Sequence, residues 1–149
     1  MSKKYELTTQ SIEWKGRKLF RIKAVKSFAD VKVGDLGGYI ENESNLSQDG
    51  TAWVSGDAKV YDTARVFGDA EIYGNANVYD DANVFGKAKV YDRAKVYGNS
   101  WIYGKAEIHD GAKVYDASEV YGNASVCGKA KICGDTVIYD NALAGEQSD

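Results

Sequence analysis

Few side chains in this chain of 149 residues are suited to chemistry, and they are spread widely. His109 is the only histidine, so it is the one candidate general base. Cys127 and Cys133 lie six residues apart. A second set is cationic. Lys59, Asn77, Lys95, Lys113 and Lys131 recur at intervals of eighteen residues, with Arg93 and Lys129 two positions ahead of Lys95 and Lys131. Cations in one column suit an anionic ligand or an acidic partner, because like charges directly opposite on neighbouring strands are otherwise unfavourable. Trp101 stands where equivalent positions carry Arg, Asn or Glu, and an exposed Trp is a candidate interface anchor. Gly34-Asp35-Leu36-Gly37-Gly38 is rich enough in glycine to turn sharply. It is no phosphate loop, because no Gly-Lys-Ser/Thr follows and no helical pattern begins there.

The element that must position these residues is a repeat. From Val54 to Ile138 every sixth position is Val or Ile, at all 15 sites. Four residues after each Val or Ile comes a small residue; of the 16 such positions from Ala52 to Ala142, 13 are Ala and the others are Ser100, Ser118 and Thr136. In Ala-x-Val-Tyr-Gly-x, Ala and Val are two apart and share one face of an extended chain. Gly, Asp or Asn then supplies a corner. Each hexapeptide is one short strand and one turn, and units that cannot bury their own core must stack. Val96→Asp is expected to be severely destabilising.

Three hexapeptides to a coil place residues eighteen apart above one another. The position after each Val or Ile then forms three edge columns: Tyr61, Tyr79, Tyr97, Tyr115, Cys133; Phe67, Phe85, Tyr103, Tyr121, Tyr139; and Tyr73, Tyr91, His109, Cys127. Strands stack about 4.8 Å apart, so like rings in a column should stack. Cys127 and Cys133 fall on different edges, about 13 Å apart or more by strand rise. A disulfide needs Cα atoms within about 7 Å, so free thiols are expected. The outward position before each Val or Ile forms the lysine column, an alternating column Glu71, Lys89, Glu107, Ser125, and a third of Arg65, Asn83, Trp101, Glu119, Val137.

Residues 1–39 carry nine Lys/Arg and four Asp/Glu, a balance of +5, and residues 40–149 carry ten and 18, a balance of -8. Ser11–Ala24 reads as a hairpin turning at Lys15-Gly16. Trp14, Phe20 and Phe28 are expected to cover the open end of the first coil, as a solenoid of strands requires. The organisation expected is a basic cap over 1–39, a β-helix over 40–143 and a short tail over 144–149. Nothing approaches a membrane span or a signal peptide, and the cytoplasm is the compartment expected by default.

The segment Ala24-Val25-x-x-Phe28-x-Asp30-Val31-Lys32-x-Gly34-x-x-Gly37-Gly38-Tyr39, with Asn45-Leu46-Ser47-Gln48 and Trp53-Val54, resembles the opening of the YdcK-type acyltransferases and related phage or prophage hexapeptide-repeat proteins. The resemblance covers nearly the whole chain. It implies an all-β fold, a left-handed parallel β-helix of about five to six coils with a small hairpin cap, in a bacterial host. It also implies a CoA-dependent acyltransferase reading, with acetyl-CoA or another acyl-CoA as cofactor and His109 as base. Against that reading, the register from Val54 onward has no loop excursion of the kind that carries acceptor-binding residues in such enzymes, and no helix follows Ala142. A zinc site of the trimeric carbonic-anhydrase type needs several His ligands, so no metal is expected.

The first expectation is therefore a non-catalytic binding or scaffold protein without a cofactor. It would act by protein–protein contact on a host component through Lys95, Lys113, Lys131, Arg93, Lys129 and Trp101, as a homo-oligomeric dimer or trimer. Nucleic acid stays open only at the basic cap. An acyltransferase and a self-assembling structural module are the alternatives.

Overall fold

A computed structural model describes residues 3–145, and residues 146–149 of the expected tail lie outside the described residues. Strands β1 (Tyr5–Trp14) and β2 (Arg17–Ala24) pair antiparallel, and β2 pairs antiparallel with β3 (Leu36–Ile40). From Trp53 onward every strand is two residues long, and all stack in parallel register at steps of eighteen. They form three faces of a three-sided β-solenoid of about six turns. Among the described residues no helix is long and apolar enough to cross a membrane.

The core follows the repeat. Val54 to Val126 at every sixth position are at most 1% exposed, and the alternating Ala residues from Ala52 to Ala124 are buried with them. Branched residues suit the strand, and Ala leaves room for the chain to turn. At the corners that end in Ala a carbonyl accepts from the amide three residues on, as in Ala94 N–H to Tyr91 O at 3.2 Å. Asp92 between them takes φ +58°. Where Ser replaces Ala, its hydroxyl makes that bond instead: Ser100 Oγ donates to Tyr97 O and Ser118 Oγ to Tyr115 O, each at 2.8 Å.

The corners show why the left-handed position is filled by either Asp or Gly. Asp80 (φ +56°) sends its carboxylate to the next coil, where Oδ2 accepts from Gly98 N–H at 3.1 Å. Asp62, Asp92, Asp110 and Asp116 do the same for the amides of Asp80, Asp110, Gly128 and Gly134. Asp tolerates the left-handed conformation and supplies an acceptor, whereas Gly supplies only the conformation.

The N-terminal cap departs from expectation in three ways. The first strand begins at Tyr5, not Ser11, with a bulge between Leu7 and Ser11. Gly37 and Gly38 do not turn but lie inside β3, where a Cβ would stand 2.5 Å from Val54 O and 2.7 Å from Ala58 O. The end of the solenoid is sealed by Lys4 and Tyr5, together with Phe28. Lys4 Nζ donates to Ala52 O (2.7 Å) and Gly50 O (3.2 Å), and Tyr5 Oη to Leu46 O (2.6 Å). Phe28 packs edge-on against Trp53 at 5.3 Å. Trp14 is elsewhere, against the side of the solenoid.

Candidate functional site

The lysine face continues β3 through five stacked strands. Lys59 pairs with Asn77, Asn77 with Lys95, Lys95 with Lys113, and Lys113 with Lys131. Among the described residues none of these lysines, nor Arg93 or Lys129, has a carboxylate within 4.0 Å. Nearby acids are held by other groups. Asp62 receives Arg17 at 2.8 Å, Asp57 faces Arg21 at 4.0 Å, and Glu41 lies 3.9 Å from Arg17. The arginines of the basic cap thus neutralise the acids of the first coils and leave the lysines unpaired.

The hairpin turn adds a wall at the upper end of this face. Lys15 and Gly16 both take positive φ (+50° and +83°), which tightens the two-residue turn. This carries Trp14 and Lys15 over the first coils. Trp14 lies under Lys59, whose Nζ is 4.4 Å from its ring centroid, and Lys15 Nζ is 5.6 Å from the same ring. Beneath it lie Tyr61, nearly fully buried, and Tyr79. The result is a cleft of about 410 Å³ whose lining includes Lys15, Lys59, Arg93 and Lys95 and no acid. Burial lowers the Lys59 pKa from its ordinary value, with Asp57 only partly opposing. Among the described residues Asn77 Oδ1 is buried there without a hydrogen-bond partner, and Trp14 Nε1 and the Tyr61 hydroxyl lie beside each other with no other partner. Lys59 belongs to the column read from the eighteen-residue spacing, whereas Lys15 and Trp14 are the site residues that sequence reasoning did not place here. The Lys15-Gly16 turn was legible, but the side on which it docks is set by β2 pairing with β3.

The other singled-out residues lie apart. Trp101 is on a different face, 47% exposed, between Asn83 and Glu119 in register and edge-on to Phe85 at 5.8 Å. Arg93 and Lys129 line a shallow corner groove of about 690 Å³ together with Asp92 and Asp110. Arg93 also borders the cleft, so it joins the two.

His109 occupies its edge column, stacked on Tyr91 with centroids 4.9 Å apart and planes 4° from parallel. Its Nδ1 lies 3.5 Å from Asp110 Oδ1 and 3.9 Å from Asp92 Oδ2. Ligand atoms of Asp92, His109 and Asp110 all fall within 4.8 Å of one another, a cluster not foreseen from spacing. One oxygen of each aspartate already accepts a corner amide, and Arg93 and Lys129 face the same groove. That environment fits a structural corner better than a cation site. The remaining ladders stack as expected, from Tyr61–Tyr79 at 5.0 Å to Tyr97–Tyr115 at 4.9 Å, and both cysteines are free.

No protein-family model matches the chain, and no curated protein matches it significantly. The fold agrees with a hexapeptide-repeat β-helix.

Proposed function

We propose that this protein is a non-catalytic binding protein that engages an acidic protein partner through its lysine face. The observation that carries this reading is the in-register run Lys95–Lys113–Lys131, which among the described residues has no carboxylate within ion-pair distance. Neighbouring like charges of this kind oppose folding, and a bound anion offsets the repulsion. The resemblance to phage-associated hexapeptide proteins supports a host component as that partner, with the protein acting as a homo-oligomer. The test is affinity capture from lysate of the encoding organism, with wild type beside Lys95→Gln/Lys113→Gln/Lys131→Gln. A defined partner retained by wild type and lost by the variant is the expected result. Equal retention by both, with the variant more stable, sinks the reading.

One observation favours a second reading, CoA-dependent acyl transfer. His109 has two carboxylates beside Nδ1, which can orient an imidazole as a general base. Its ring is only partly exposed and stacked on Tyr91, and Arg93 and Lys129 in the adjoining groove are the cations available to a phosphate-bearing cofactor. Calorimetry with acetyl-CoA decides it. Heat of binding that is lost in Arg93→Gln/Lys129→Gln favours the acyltransferase, and no heat at about 1 mM ligand removes it.

A further inference from the structure

The cleft beneath the hairpin turn and the lysine ladder below it are continuous. Lys59 and Lys95 belong to the ladder and also line the cleft. From Lys59 to Lys131 the ladder makes four strand steps, about 19 Å at 4.8 Å each. An extended polypeptide covers that length with about six residues. We propose that this track binds an extended acidic polypeptide segment, with one carboxylate seated among Lys15, Lys59, Arg93 and Lys95 and others along Lys113 and Lys131. The proposal rests on the reading of the lysine face as a binding surface and identifies the chemistry of what it binds.

Two features select a polypeptide over other polyanions, and a third favours entry of an anion. The first is width. The track is bounded along one corner by Asp80 and Asp116 and along the other by Asp92 and Asp110, all exposed. These carboxylates are fixed by their bonds to the next coil, so they cannot swing away. A nucleic-acid duplex laid along the face would bring its outer phosphates against them, whereas a single extended chain fits between. The second is the state of the aromatic rings. Single-stranded nucleic acid is held by bases stacking on free ring faces. Here Tyr79 is sandwiched between Tyr61 and Tyr97 at 5.0 and 4.9 Å, and Trp14 is covered by Lys59 and Lys15. Among the described residues every ring lining the cleft already has a partner on it, Arg17 over Tyr61 included, so a base would have to compete for that face. The third is that every charged group lining the cleft is a cation, and among the described residues its lysines and arginine have no carboxylate partner, so an entering carboxylate displaces no ion pair among them.

The test uses the full chain and a fluorescein-labelled deca-glutamate peptide, followed by anisotropy at low salt. Lys15→Gln/Lys59→Gln removes two cleft charges. Lys87→Gln/Lys105→Gln removes two exposed lysines at a different corner and gives the same net charge. Melting temperatures establish that both variants fold. The cleft pair is expected to weaken binding about tenfold or more and the control pair less than about twofold. Equal losses in the two pairs overturn the proposal, since charge alone would then explain binding. So does tighter binding of a labelled deca-thymidylate, or no anisotropy change with protein at about 1 mM. If a partner is captured through Lys95, Lys113 and Lys131 yet the peptide does not bind, this inference fails and the lysine-face reading stands. If capture is also indifferent to those lysines, both fail.

Discussion

Lys113→Gln is expected to stabilise the fold and Lys89→Gln to weaken it, although each replaces a half-buried outward lysine in the middle of a face. The difference lies in the neighbours. Lys113 stands in register between Lys95 and Lys131, and Lys89 between Glu71 and Glu107. With strands about 4.8 Å apart and the side chains splayed, neighbouring charges sit roughly 6 Å from one another. At that distance two unit charges in water interact by about 0.7 kcal/mol, and physiological salt roughly halves this. Two neighbours then give about 0.5–1 kcal/mol of repulsion relieved at Lys113, and a similar attraction lost at Lys89.

In a domain of this size about 1 kcal/mol moves the midpoint by roughly 2–4 °C. Thermal unfolding followed by circular dichroism should therefore separate the two variants, one above wild type and one below. Raising NaCl from about 20 to 500 mM should close most of the gap, because the screening length falls several-fold. The Tyr91 hydroxyl donates to Glu107 at 2.9 Å, and that bond survives in Lys89→Gln, so the comparison isolates charge. Shifts of the same sign in both variants, or a gap indifferent to salt, would refute the reasoning. The aliphatic stems packing on the face would then outweigh the charges they carry.

Two further outcomes follow from the corners and the ladders. Asp80→Ala should cost about 2–3 kcal/mol, since it loses the bond to Gly98 N–H and keeps a Cβ at φ +56°, while Asp80→Gly should cost about 1 kcal/mol less, as read by urea unfolding. In alkali, burial raises the pKa of Tyr79, and burial reinforced by Glu107 and Glu119 raises those of Tyr91 and Tyr103, the latter to about 12. These folded values lie above the unfolded value near 10, so their contribution is complete below that pH and is lost as pH rises toward 12. Tyrosinate absorbance at 295 nm and loss of circular dichroism should then coincide; ionisation of all tyrosines near pH 10 with the fold intact would contradict this.

What the sequence disclosed was whatever repeats. Period six placed the Val and Ile core, and eighteen-residue spacing placed His109 on Tyr91, aligned Lys95 with Lys113 and Lys131, and kept Cys127 from Cys133. Each inference needed only strand rise and stacking. What stayed hidden depends on single contacts outside the period. Lys4 seals the first coil with one ammonium on its carbonyls, yet nothing about a lysine near the start distinguishes a plug from a solvated charge. Trp14 was expected over the open end, but pairing of β2 with β3 carries it down the lysine face. Aspartate was readable as a turn former; its bond to the coil above was not, because that acceptor role appears only once coils are stacked.

The net charge of -3 obscures how the acids are used. An acidic solenoid is expected to neutralise its own lysines, since its edge aspartates stand beside them. They do not, because each is tied to an amide of the next coil or to an arginine of the cap. Bonds that hold the corners together thus keep the carboxylates from closing onto the lysines. The same arrangement sets aspartate rails on both sides of the cationic track. Repulsion from those rails rejects anions broader than one face, while the unpaired lysines attract those that fit. Discrimination by such a repulsive margin needs no contact specific to the ligand's sequence. Neutralising a rail residue while keeping its corner conformation, as in Asp116→Asn, should therefore relax selectivity for narrow polyanions without adding a contact to any of them.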